Sequence, residues 1–214
     1  MSELLIKGIV SYLLGSIAGG LVVGRLRGGV DIRLLGSGNA GGTNALRTQG
    51  KRFALWVLLI DIGKGWAAVR VVAPWGRPPG LSELLQWLPG VCALAVILGH
   101  VYPVWYGFRG GKGVATLLGT LLGLAPWLLL PVLLVWLAAV ALTGFVGLAS
   151  MLAAVAVPVG LSLSNGGPRV PLVWFGAAAA CLIVFTHRAN IARMRAGTEP
   201  RARRLWLLGR RART

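Results

Sequence analysis

Three polar islands interrupt an otherwise oily sequence, and their side chains are of kinds that bind phosphate. The first runs Gly36-Ser37-Gly38-Asn39-Ala40-Gly41-Gly42-Thr43-Asn44 and is followed by Arg47. Its glycines let the backbone turn tightly and present N–H groups, while Ser37, Asn39, Thr43 and Asn44 add short hydrogen-bonding arms; a polar ligand or a plain flexible loop would both fit. The second holds Gly99-His100 and then Phe108-Arg109-Gly110-Gly111-Lys112-Gly113-Val114-Ala115-Thr116 at the start of an apolar run. A glycine turn feeding a helix N-terminus joins open N–H donors to the positive end of the helix dipole, and Lys112 adds a full charge. The expectation is a phosphate site made by Gly110, Gly111, Lys112, Gly113 and Thr116. It is not a Walker A loop, because Gly107 lies one spacer too close and Gly113 stands where a Ser or Thr would hold magnesium. A lysine merely marking the end of a membrane span would explain Lys112 but not the glycines. The third island is Thr186-His187-Arg188-Ala189-Asn190-Ile191-Ala192-Arg193, then Gly197-Thr198-Glu199. If the helix runs on through it, His187 and Asn190 share one face and can meet one ligand, while Glu199 pairs with an Arg or Lys instead of acting as a base.

Other chemistries lack the residues for them. The five acids are scattered and the two histidines fall in different islands, so neither a metal site nor a cofactor is expected. Ser37 lies in no strand-turn-helix elbow, which argues against a Ser-His-Asp hydrolase. Cys92 and Cys181 sit in separate apolar runs and supply no disulfide framework. Asp61 and Lys64, three residues apart in an apolar run, are expected to neutralise each other. Ser150 is expected to hydrogen-bond a neighbouring helix or to touch a ligand.

The elements that must position these islands are membrane helices. Of 214 residues, 56% are hydrophobic and 13% charged, too little polar surface for a soluble globule of this size. The net charge of +17 is distributed between apolar stretches of spanning length, unlike the basic face of a nucleic-acid-binding domain. Apolar runs cover residues 8–24, 53–73, 84–103, 114–163 and 170–186. The fourth is too long for one helix; Pro126, Pro131, Gly144 and Pro158 are available breakers, and turns near Pro126 and Gly144 give three spans. The fold class is therefore all-α, a polytopic membrane helix bundle with seven spans, or five as the fallback. Ser16-Ile17-Ala18 imitates a cleavage site, but Glu3 and Lys7 cancel while Arg25 and Arg27 follow the run, so the first span is retained with its N-terminus outside. The inside segments are then 25–52, 102–113, the turn near Gly144 and the tail from His187, carrying 6, 2, 0 and 9 of the 22 basic residues. Lys7, Arg77 and Arg169 fall at outside ends. This positive-inside bias places all three islands at the same, inner face of the membrane. Trp75, Trp87, Trp105, Tyr106, Trp174 and Trp206 fall near span ends as an aromatic belt. Residues 201–214 are expected as a basic cytoplasmic tail along anionic headgroups, following an integral membrane domain over 1–200.

Taken together, the islands resemble the bacterial acyl-phosphate glycerol-3-phosphate acyltransferase family nearly end to end. The likeness begins at Tyr12-Leu13-Leu14-Gly15-Ser16-Ile17 and continues through Asp31-Ile32-Arg33, the first island with Arg47, Asp61 to Lys64-Gly65, the stretch from Gly99 to Thr116, and that from His187 to Glu199. Departures are Ala18-Gly19 where the family usually has Pro-Phe, Gly42 for a usual alanine, and Gly147 at a common serine position. The resemblance implies transfer of a fatty acyl group from acyl phosphate to the sn-1 hydroxyl of glycerol 3-phosphate, giving lysophosphatidic acid and phosphate. Soluble-donor acyltransferases carry a His-x4-Asp pair, which neither His100 nor His187 can complete, since Trp105 and Ala192 stand five residues on.

Two phosphorylated substrates explain cations gathered without nearby acids. On this reading the turn at Gly110, Gly111, Lys112 and Gly113, with Thr116, holds one phosphate. Ser37, Asn39, Thr43, Asn44 and Arg47 orient the other, and His187 and Asn190 sit by the reacting carbonyl, with Ser37 counted among the catalytic groups and Ser150 among the binding ones. The partners expected are acyl phosphate, glycerol 3-phosphate and the lipid bilayer, with no nucleic acid and no obligate protein partner. A transporter of a small phosphorylated solute is the alternative, and it would put its polar site near the midplane. A purely structural scaffold would need no such islands.

Overall fold

A computed structural model describes residues 1–76, 86–164 and 170–208, and every regular element among them is helical. The α-helices are α1 (Ser2–Gly15), α2 (Gly19–Leu26), α3 (Gly42–Gln49), α4 (Lys51–Ala67), α5 (Leu88–Val101), α6 (Val114–Leu124), α7 (Leu129–Thr143), α8 (Val146–Ser162), α9 (Val170–Thr186) and α10 (Arg188–Arg195). A π-helical turn, Ala68–Val72, extends α4. Two compact units result, Met1–Pro126 and Trp127–Thr214. Arg77, Arg169, the start of the third apolar run at Leu84 and the last part of the basic tail from residue 209 lie outside the described residues.

Among the described residues each expected apolar run is mainly helical, and the long one breaks where proline and glycine chemistry requires. α6 stops before Pro126, and α7 ends on Gly144 in the left-handed region at φ 77°. Pro131 falls in the first turn of α7, where its missing N–H costs nothing, and Pro158 is carried inside α8. By length and composition two helical segments, Leu88–Tyr106 and Pro126–Thr143, can cross a membrane, and the bent pairs α1–α2 and α9–α10 raise this to four if each pair is one span. Helices α6 and α8, of 11 and 17 residues, are shorter.

Two local expectations are corrected. The first run is not one straight helix: it breaks over residues 16–18 and bends by 44°. Nor does α9 run on through the third island, because His187 leaves helical geometry and α10 departs at 51°.

In the first unit α1 packs on α5 and α4 on α6. Lipid offers no hydrophobic drive to bring helices together, so association depends on close backbone approach. A Cβ on Gly15 would strike the Val96 carbonyl and one on Gly99 the Tyr12 carbonyl; Gly65 and Gly119 do the same for α4 and α6. Lys7, expected at an outside end, is buried there, paired with Glu3 and donating to the Ala73 carbonyl at 3.0 Å. In the second unit α7 and α9 both pack on α8. The first residues of the expected basic tail dock on the α7–α8 turn. Ala202 N–H donates to Gly144 O at 2.8 Å, Leu207 N–H to Ala141 O at 3.0 Å, and Arg201 stacks between Phe145 and Trp206.

Candidate active site

The first island is a loop wound around one amide. Asn44, near the start of α3 and buried, brings its side-chain nitrogen within 2.9–3.0 Å of the carbonyls of Ile32, Leu35 and Asn39, and its oxygen accepts the Ser37 N–H at 2.9 Å. Asn44 was expected to reach for substrate; its amide is consumed inside the protein, so its work is to shape the loop. Asn39 closes a tighter turn by accepting Gly41 N–H at 2.9 Å. This internal wiring leaves the Ser37 side chain exposed, and Thr43 and Arg47, four apart on α3, are both exposed on one face.

The second island folds back on the end of α5. Gly107 and Phe108 take left-handed conformations, at φ 64° and 58°, and reverse the chain. Gly110 N–H then donates to Val101 O and Gly111 N–H to His100 O, each at 3.1 Å. The two N–H groups expected to hold phosphate are therefore already satisfied. These glycines serve close packing instead: a Cβ at Gly110 would strike the His100 carbonyl, and one at Gly111 the His100 ring. The donors left for an anion are those at the start of α6, which Gly113 introduces at φ 87°, beside the half-buried Lys112. The Thr116 side chain is fully enclosed, and its hydroxyl has no hydrogen-bond partner, so it does not present itself to a phosphate as expected.

Behind this loop lies an ionic cluster that sequence reasoning saw only in part. Asp61 and Lys64 pair at 2.9 Å, as expected, but His100 joins them, its Nδ1 at 2.9 Å from Lys64 Nζ and 3.3 Å from Asp61. Lys64 also donates to the Gly15 and Ile17 carbonyls at 2.9 and 2.8 Å, and Asp61 accepts Gly19 N–H at 3.1 Å. The cluster thus stabilises the break between α1 and α2 by supplying partners to the carbonyls and N–H that the break orphans.

Arg33, which spacing alone did not single out, ties the first two islands together. It forms a forked pair with Asp31 and donates through Nη1 to the carbonyls of Tyr106 at 2.8 Å and Arg109 at 3.0 Å. The guanidinium hydrogen bond holds the Asp31 carboxyl below its ordinary value against the opposing effect of burial, and the same bond raises Arg33. Ala18, Leu21 and Ala40 pack together with Tyr106 against them, so Ala40 of the first island lies beside the second. A basic cleft of about 610 Å³, lined by Arg27, Gln49, Lys51, Arg52 and Phe53, opens where α3 meets α4, outside the three islands.

The third island belongs to the second unit. His187 is buried at the α9–α10 bend, with Nδ1 at 2.8 Å from the Ile183 carbonyl. A carbonyl can only accept, so Nδ1 carries a proton and donates it. Glu199 takes the partner role expected of it. It accepts from Arg193 Nε and from Asn190 Nδ2, each at 2.6 Å, and so orients the Asn190 amide as well. Gly147 lies against that amide. Ser150 donates to Val146 O at 2.9 Å within its own helix and accepts from the Trp136 indole at 3.3 Å. Among the described residues no three His, Cys, Asp or Glu side chains gather as metal ligands.

Glycine-rich loops, exposed hydroxyls and cations sit on an all-helical scaffold with membrane-spanning candidates, a class of integral membrane protein, and similarity to known proteins names the family. The chain matches the glycerol-3-phosphate acyltransferase family over residues 5–197, and it belongs to that family. It is 45% identical over 202 residues to the glycerol-3-phosphate acyltransferase of Synechococcus sp. (strain JA-3-3Ab), covering 94% of this chain and 95% of the relative. Identity to that of Chlorobaculum parvum is 42%, over 90% and 93%. Among solved structures, PlsY, an integral membrane glycerol 3-phosphate acyltransferase, in its glycerol 3-phosphate form superposes with a TM-score of 0.82 at 36% identity, covering 94% of this chain and 96% of that one. Its lysophosphatidic acid form gives 0.80 at the same identity.

Proposed function

We propose that the chain is an integral membrane enzyme that transfers a fatty acyl group from acyl phosphate to the sn-1 hydroxyl of glycerol 3-phosphate. The observation that carries this reading is the near full-length likeness, in sequence and in fold, to an acyltransferase solved with glycerol 3-phosphate and with lysophosphatidic acid. The Arg33 tether between the first two islands adds to it, because it sets an exposed hydroxyl loop beside a cationic one. Seven crossings, the N-terminus outside and a cytoplasmic active face fit the basic-residue bias of the inside segments.

In the reaction the sn-1 oxygen attacks the acyl carbon, a new ester C–O bond forms, and the bond from that carbon to the phosphate oxygen breaks, releasing inorganic phosphate. The mixed anhydride is already activated, so the departing phosphate can take the hydroxyl proton without a strong protein base. Lys112 and the start of α6 hold one phosphate. Ser37, Thr43 and Arg47 meet the other phosphate and the glycerol hydroxyls. His187 and Asn190 sit by the reacting carbonyl. Asn44, Glu199 and Arg33 keep these groups in place, and no cofactor is required.

Purified protein in lipid, given acyl phosphate and labelled glycerol 3-phosphate with acyl-CoA as the control donor, tests the reading. Labelled lysophosphatidic acid from acyl phosphate alone is expected; none from either donor overturns it. His187→Gln then separates two proton routes. With phosphate as the acceptor the rate falls while the pH profile keeps its shape, whereas a changed profile identifies His187 as the base.

A further inference from the structure

Asp61, Lys64 and His100 are enclosed within the first unit, all three at or below 5% exposure, which removes them from direct contact with a water-borne substrate. An ion pair held this deep stabilises little by itself, since desolvation consumes most of its attraction. Its connections matter more. From Lys64 and Asp61 the cluster reaches the Gly15 and Ile17 carbonyls and the Gly19 N–H at the break in the first apolar run. From His100 it reaches the second island twice: the His100 carbonyl accepts Gly111 N–H, and the ring lies so close to Gly111 that no side chain fits between them. His100 Nδ1 lies 2.9 Å from Lys64 Nζ and 3.3 Å from Asp61 Oδ1, so the ion pair holds that edge of the ring while Nε2 faces Gly111.

We propose that Asp61, Lys64 and His100 are positioning residues for the reaction: the buried ion pair locks the His100 ring, and the ring is the wall against which Gly111 sets the height of Lys112 and the start of α6. The proposal rests on the acyltransferase reading, because the loop's task is to hold a substrate phosphate. Backbone hydrogen bonds fix the loop along the end of α5 but leave it free to rock about that line. The imidazole removes this freedom, and it stays in one orientation because two charged neighbours face its other nitrogen. Gly111 is glycine here because the loop must touch the ring.

The test is a double-mutant cycle on His100 and Gly111 in purified protein, read as kcat and KM for glycerol 3-phosphate and for acyl phosphate, with the apparent melting midpoint as a check on folding. Gly111→Ala drives the loop off the ring and is expected to raise KM for at least one phosphorylated substrate by roughly tenfold or more, with a smaller change in kcat. His100→Ala removes the wall and raises the same KM. In the double variant the new methyl occupies space the ring has vacated, so the combined loss is smaller than the product of the single losses. A purely structural histidine gives no such relief. If His100→Ala does not fold, the same cycle with His100→Asn, which shortens the side chain but keeps a polar end, gives the decision. Losses that multiply, or single variants whose KM values match the parent, overturn the proposal. A parent protein that makes no lysophosphatidic acid from acyl phosphate overturns the acyltransferase reading instead.

Discussion

Replacing Arg33 tests the link between the two islands of the first unit. Arg33 is 20% exposed in its side chain and makes two kinds of contact, a forked pair with Asp31 and charged donations to the carbonyls of Tyr106 and Arg109. Lysine has the charge but not the planar fork, so Arg33→Lys cannot keep Asp31 and both carbonyls at once. A hydrogen bond from a charged donor contributes about 1.5–3 kcal/mol, and partial exposure brings the two together to about 2–3 kcal/mol. If all of that is spent holding the 104–110 segment in place, kcat/KM falls by roughly 30–150-fold, and Arg33→Met falls at least as far. Asp31 adds a pH signature. Its folded carboxyl titrates below its ordinary value of 3.8, so its contribution is fully present above that pH and is lost as pH falls through the lowered value. The apparent melting midpoint should therefore drop more steeply below about pH 4 in the parent than in Asp31→Asn. Steady-state kinetics in lipid nanodiscs and tryptophan-monitored melting read both effects. An Arg33→Lys protein with kcat/KM within about twofold of the parent would refute the tether, since a lost charged donation cannot be that silent.

Other outcomes follow from the same geometry. Asp61→Asn strands a buried ammonium and is expected to cost about 3–5 kcal/mol, whereas Asp61→Leu with Lys64→Met costs less, as melting curves in detergent will read. Glu199→Ala removes an acceptor that orients the Asn190 amide and should lower kcat about tenfold or more while KM for glycerol 3-phosphate moves less, measured by steady-state assay. Lys112→Ala should weaken use of one phosphorylated substrate by about 10–100-fold; unchanged KM values would remove Lys112 from the site.

Much of the fold could be read from local chemistry. Pro126 and Gly144 break the long apolar run through properties they carry anywhere, a missing N–H and access to positive φ. The break at residues 16–18 was hidden because nothing in that stretch forbids a helix; its orphaned carbonyls are matched by Lys64, 47 and 49 residues away in sequence. The glycines of the second island were visible as a cluster, but their meaning was not. Whether a glycine N–H meets an anion or a carbonyl depends on where the chain folds back, and here Gly110 and Gly111 face the end of α5. Asn44 was misread for a similar reason, since an amide on a loop looks the same in sequence whether it points outward or inward. Asp61 and Lys64 were paired correctly from spacing, while His100, on another helix, gave no local sign of joining them.

The seating of Arg201 between Phe145 and Trp206 has a practical consequence. Charge tallies count that arginine as a membrane anchor, yet its flat cation serves as the filling between two rings that close over the α7–α8 hairpin. Trimming the chain after residue 200 would therefore strip a lid from the hairpin as well as remove positive charge, and would expose the Phe145 ring. A shortened protein that aggregates in detergent would point to that bared ring before any lost attraction to lipid.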